Sequence, residues 1–135
     1  MRQLTLACAC MLMGAWPAYA SPPKLIEIEG VLCSTVEEAE AMNDFVVHSV
    51  DPLTMSDAPK IFRNGKSSCR HSKIRTNMSS IFTYVETYTT DVYVGDTILT
   101  DTAEMYSVNL DGVVYYMSID PKDLAKLPDH IEQKI

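Results

Sequence analysis

Apolar and polar positions alternate from Leu25 to Leu32 (LIEIEGVL), which predicts a strand with one buried face that runs past Gly30. After Cys33 the period changes. Val36, Ala39, Met42, Val46 and Val50 recur at three- and four-residue spacing, with Phe45 beside them, and predict an amphipathic helix from about Thr35 to His48. Ser34 with Glu37 three residues on reads as a capping box. Glu37, Glu38 and Glu40 lie near the positive end of the helix dipole. Asp51-Pro52 stops the helix, and His48 in its last turn is placed to cap rather than to catalyse.

Periodicity then disappears. Residues 51–75 are polar, basic and rich in turn formers, with Asn64-Gly65 the strongest turn signal, so a loop is expected. Residues 81–94 (IFTYVETYTTDVYV) are dense in Thr, Tyr and Val and predict a strand. Simple alternation would put Phe82, Tyr84, Glu86 and Tyr88 on one side, an aromatic row that suits cross-strand packing. Gly95-Asp96 turns the chain. The clearest hairpin runs from Glu104 to Ile119 about Asp111-Gly112, a pair suited to a two-residue type I′ turn. That turn sets Leu110 opposite Val113, Val108 opposite Tyr115 and Tyr106 opposite Met117, so that one face is wholly apolar. Asp120 caps, and Pro121 opens, a short helix to about Lys126. The expected fold is α+β, with one N-terminal amphipathic helix covering a small antiparallel sheet of three to five strands.

The first twenty residues alter the cysteine count. Arg2 precedes an apolar run from Leu4 to Gly14, and Ala18-Tyr19-Ala20 presents small residues where a signal peptidase reads. The run is shorter than the roughly 20 residues a membrane span needs. Residues 1–20 are therefore expected to be a signal peptide cleaved between Ala20 and Ser21, leaving 21–135 as one exported domain, periplasmic or secreted, in a bacterium. No other stretch suits a membrane span. Cys8 and Cys10 leave with the signal. Cys33 and Cys69 then face an oxidising compartment, and a disulfide is expected. Closing that loop is worth about 4 kcal/mol in the chain-entropy model.

Loss of Arg2 leaves ten Lys and Arg against eighteen Asp and Glu, a net charge of −8. That balance disfavours nucleic acid as a partner, since phosphate neutralisation supplies most such affinity. The charges are also segregated. Lys60, Arg63, Lys66, Arg70, His71, Lys73 and Arg75 form a basic segment without an acid. Residues 76–121 hold Glu86, Asp91, Asp96, Asp101, Glu104, Asp111 and Asp120 without a base. Two arrangements satisfy this pattern. The basic segment folds back on an acidic sheet, or it meets an anionic partner, either a protein or an envelope component.

Catalytic chemistry leaves few traces. There is no G-x-S-x-G elbow, Gly-rich phosphate loop or calcium-loop spacing, and His48, His71 and His130 are scattered, so no cofactor or metal is expected. His71, beside Arg70 and Cys69, is the best single candidate for a general base. The pattern points first to a non-enzymatic binding or accessory protein. The alternative is a small hydrolase or anion-processing enzyme using His71, and a third reading places a small apolar ligand between helix and sheet.

Overall fold

The computed structural model describes residues 24–128. The expected signal segment, its cleavage site at Ala20–Ser21, and His130 lie outside the described residues. The fold is α+β, as the pattern predicts. In chain order it contains β1 (Ile26–Leu32), α1 (Val36–Val47), a single turn α2 (Ala58–Ile61), β2 (Arg70–Thr76), β3 (Phe82–Val94), β4 (Thr97–Leu110), β5 (Val113–Ser118) and a single turn α3 (Pro121–Leu124).

Every strand pair is antiparallel. β1 pairs with β2, and β3, β4 and β5 form a meander. One bridge joins the two sheets: Cys33 and Tyr116 exchange both backbone hydrogen bonds, each 2.8 Å. The strand order across that joint is therefore β2-β1-β5-β4-β3. Cys33 also forms the expected disulfide with Cys69, immediately before β2. A single residue thus ties β1 to β5 through its backbone and to β2 through its side chain.

The hairpin register is the expected one, with Leu110 facing Val113, Val108 facing Tyr115 and Tyr106 facing Met117. Asp111 and Gly112 have φ of 53° and 87°, the positive values a type I′ turn demands. Gly95, with φ 61°, opens the two-residue turn between β3 and β4.

Four expectations are corrected. Residues 70–76 form a strand rather than the end of a loop. Only Ile74 in this segment is buried, so no alternation betrays it, and its pairing rests on β1 and the adjacent disulfide. β4 begins at Thr97, well before Glu104, making β3–β4 a long arm. A bulge between Tyr84 and Glu86 flips the faces of β3. Phe82 and Tyr84 consequently lie with Val108 and Tyr106, whereas Glu86 and Tyr88 turn to the helix side. Finally, the cap of α1 is Thr35, whose hydroxyl accepts from Glu38 N–H at 3.1 Å. Ser34 is held elsewhere, its N–H donating to Ser68 Oγ at 2.9 Å.

The sheet buries both faces, each against a different partner. On one side Ile28, Leu32, Ile74, Val108 and Met117 pack with Leu124 and Leu127 from the C-terminal turn. On the other, Met105, Ala103 and the disulfide pack under Ala39 and Met42 of α1, with Phe62 and Ala58 of the intervening segment. α1 buries a shorter stripe than its spacing suggests. Val46 is exposed, and Val50 lies beyond the helix end at 97% exposure. Among the described residues no helix is long and apolar enough to cross a membrane.

Candidate interaction surface

β2 brings most of the basic segment to one end of the strand order. Cross-strand register places Lys73 opposite Glu29 and Arg75 opposite Glu27. Arg75 approaches Glu27 at 3.7 Å. Glu29 is taken instead by His71, whose Nε2 lies 2.5 Å from its carboxylate. Lys73 is left without an ion pair among the described residues. Arg63 lies in the turn after α2, where Arg63, Asn64 and Gly65 all have positive φ. Its guanidinium reaches Glu38 at 3.7 Å and stacks 4.9 Å from the Phe62 ring centroid.

Arg70 finds an aromatic partner rather than an acid. Its guanidinium lies 5.2 Å from the Tyr115 ring centroid and donates to the Tyr115 hydroxyl at 3.1 Å. Lys60, on α2, and Lys66 make no ion pair among the described residues. Lys60, Arg70 and His71 line one open concavity, together with Ser56, Pro59 and Gly65. The structure therefore assembles Lys60, Arg70 and His71, lays Lys73 and Arg75 further along β2, and draws Arg63 back to the helix.

The first arrangement expected from the sequence, a basic segment folded back on the acidic sheet, is not the one observed among the described residues. The basic segment is partly neutralised, yet by Glu27, Glu29 and Glu38, and never by the acidic stretch 76–121. Glu86, Asp91, Asp96, Asp101 and Glu104 lie on the β3–β4 arm at the opposite end of the strand order, whereas Asp111 sits in the β4–β5 turn and Asp120 caps α3. No ion pair joins a base to them among the described residues.

Glu38 is the pivot of a second small network beside the disulfide. Ser68 donates to it twice, from its N–H at 3.1 Å and from its hydroxyl at 2.6 Å. These bonds, aided by Arg63, hold the Glu38 carboxyl below the usual carboxylate range. The sequence carried no signal of this clamp, because Ser68 and Glu38 stand 30 residues apart.

The far face of α1 meets the arm through acids. Asp44 accepts from the Tyr88 hydroxyl at 2.8 Å and from Thr90 at 2.6 Å, and Thr90 is buried. One turn back, Glu40 shares a hydrogen bond with Glu86. That bond, then burial and the charges of Glu86, Glu37 and Asp44, push the Glu40 carboxyl up to about 7. Glu86 Oε1 is buried there without a hydrogen-bond partner. His48 closes the helix end as expected, its Nδ1 against Asp44 O at 2.8 Å and its Nε2 against Asp91 O at 3.2 Å.

Between helix and sheet a cleft of about 140 Å³ is lined by Gly30, Val31, Ala39, Met42, Val46 and Met55, among others. It is smaller than the roughly 300 Å³ at which pockets for drug-sized ligands begin. Among the described residues no group of three or more His, Cys, Asp or Glu is placed to hold a metal ion. The chain matches no protein-family model, and neither a curated protein nor a solved structure shows significant similarity to it.

Proposed function

We propose that this protein is a small exported binding module, without catalytic activity, that meets an anionic partner through the basic end of its sheet. One observation carries the reading. Lys60, Lys66 and Lys73 remain unpaired among the described residues, although the same chain holds a large excess of acid. A fold that needed its bases only for internal neutralisation would bring them to the acids of 76–121. Export rests on the expected signal at 1–20 and agrees with a buried disulfide.

The test compares the oxidised protein with its Lys60→Glu/Lys66→Glu/Lys73→Glu form. Both are used to retrieve partners from envelope extract at low and high salt. A partner held by the first, released by salt and lost by the second supports the module. Equal retrieval by both forms removes the basic end from the interface.

The His71–Glu29 pair favours a second reading. A carboxylate that orients an imidazole is a recurring element of general-base sites, and Ser56, Lys60 and Arg70 line the same concavity. In that case a substrate screen finds a hydrolytic activity that His71→Ala abolishes and Glu29→Gln reduces. Full activity in His71→Ala rules this site out.

A further inference from the structure

Among the described residues, the two strands that end the order β2-β1-β5-β4-β3 each have a strand neighbour on one side only. Outward-facing N–H and C=O groups on such edges form a template for another strand. Soluble proteins usually blunt an edge with Lys, Pro or a short length. β3 has none of these: it is 13 residues long and contains no Lys, Arg, Pro or Gly. Its one irregularity is the bulge at Tyr84/Glu86. Near its end Tyr93 is 71% exposed and Val94 56% exposed.

Charge distinguishes the two edges. β2 carries Arg70, His71, Lys73 and Arg75 and no acid, whereas β3 carries Glu86 and Asp91 and no base. Alternation puts His71, Lys73 and Arg75 on the face that α1 covers, because they pair with Val31, Glu29 and Glu27. Glu86 lies on that same face of β3, beside Glu40 and with one buried carboxylate oxygen unsatisfied. Successive antiparallel pairings also leave β2 and β3 pointing the same way. A second copy in the same orientation can therefore lay its β2 alongside β3, parallel, with both helix faces on one side.

We propose that copies of this chain join head to tail, the basic edge strand Arg70–Thr76 of one extending the sheet at the acidic edge strand Phe82–Val94 of the next. This rests on the reading of the basic end as an interface and identifies its anionic partner as the acidic edge of another copy. The symmetric alternatives are disfavoured by charge. Pairing β3 with β3 would bring the acids of two copies together, and pairing β2 with β2 would bring their bases together, both unfavourable across strands. A head-to-tail contact leaves a free edge at each end, so it grows into rings or filaments rather than stopping at a dimer.

The experiment is sedimentation velocity on the oxidised protein across a wide concentration range at low and high salt. The expected result is a ladder of species at low salt that collapses to monomer at high salt. Lys73→Glu and Glu86→Lys should each weaken association by about tenfold or more. An equimolar mixture of the two should assemble again, since each then meets its complement. That recovery also shows both variants to be folded. A wild-type chain that stays monomeric at its highest concentration in low salt overturns the proposal, as does assembly that ignores both variants. Glu86→Lys keeps the basic end intact. If it still retrieves an envelope partner while the wild-type chain never self-associates, self-assembly fails and the binding module stands. If neither form retrieves a partner or assembles, both readings fall.

Discussion

Gly30 shows how much one missing side chain can decide. A Cβ at this position would collide with Met117 Cε, the end of a fully buried side chain that would have to shift. The glycine leaves room for the Met117 methyl where β1 meets β5, the joint on which the strand order depends. Gly30→Ala should cost about 1–3 kcal/mol, as overpacking does, read from the urea midpoint. Met117→Leu in the same chain removes the clashing methyl and should recover part of that loss. Additive losses in the double variant would contradict the contact.

Glu40 gives the residue scale a pH dependence. Its carboxyl is raised from 4.5 to about 7, first by the hydrogen bond with Glu86 and then by burial and neighbouring acids. Between those two values the folded chain holds a proton that the unfolded chain has released. Stability from this group is thus fully present below about 4.5 and is lost as pH rises towards 7. Glu40→Gln, which never ionises, should flatten that decline and raise the thermal midpoint above the window. An unchanged slope would show that the pair does not share a proton.

At the scale of elements, the hairpin β4–β5 and the basic strand β2 make an instructive contrast. The hairpin was legible because its local signals agree: Asp111-Gly112 dictates the turn, and the turn dictates a register with one apolar face. β2 was not legible, because a segment with one buried residue among seven has no period to read. Its strand form depends on Glu27 and Glu29 across the ladder and on the disulfide that starts it. Replacing Cys33 and Cys69 with Ser should therefore cost about 4 kcal/mol. The loss should be expressed locally, with amide exchange in 70–76 accelerating before that of β4–β5. Uniform acceleration in both would show that β2 is not the element the bridge secures. The face reversal in β3 escaped the sequence for a related reason. A bulge adds one residue to one strand, and nothing in Tyr-Val-Glu announces it.

On the scale of the whole molecule, the sheet separates two cores that share strands but no side chains. Met105 faces α1 and Met117 faces the C-terminal turn, and both are completely buried. Met105→Ala and Met117→Ala should each cost about 2–5 kcal/mol. If the single bridge at Cys33–Tyr116 makes the sheets one cooperative unit, each variant unfolds in one transition, with backbone and tyrosine signals coincident. Separate transitions would mean that the two layers fold independently.

The same architecture governs the charges. Sequence by itself determined the α+β class, the position of α1, the β4–β5 register, the disulfide and the segregation of bases from acids. All of these follow from local period, turn chemistry or composition. Tertiary structure alone decided that β2 is a strand, that β3 changes face, and that Glu27, Glu29 and Glu38 partner the bases. It also decided that Lys60, Arg70 and His71 share one concavity and that the acidic arm lies at the far end of the strand order. These are long-range pairings, set by which backbones find one another in the sheet, and charge sequence constrains them only weakly.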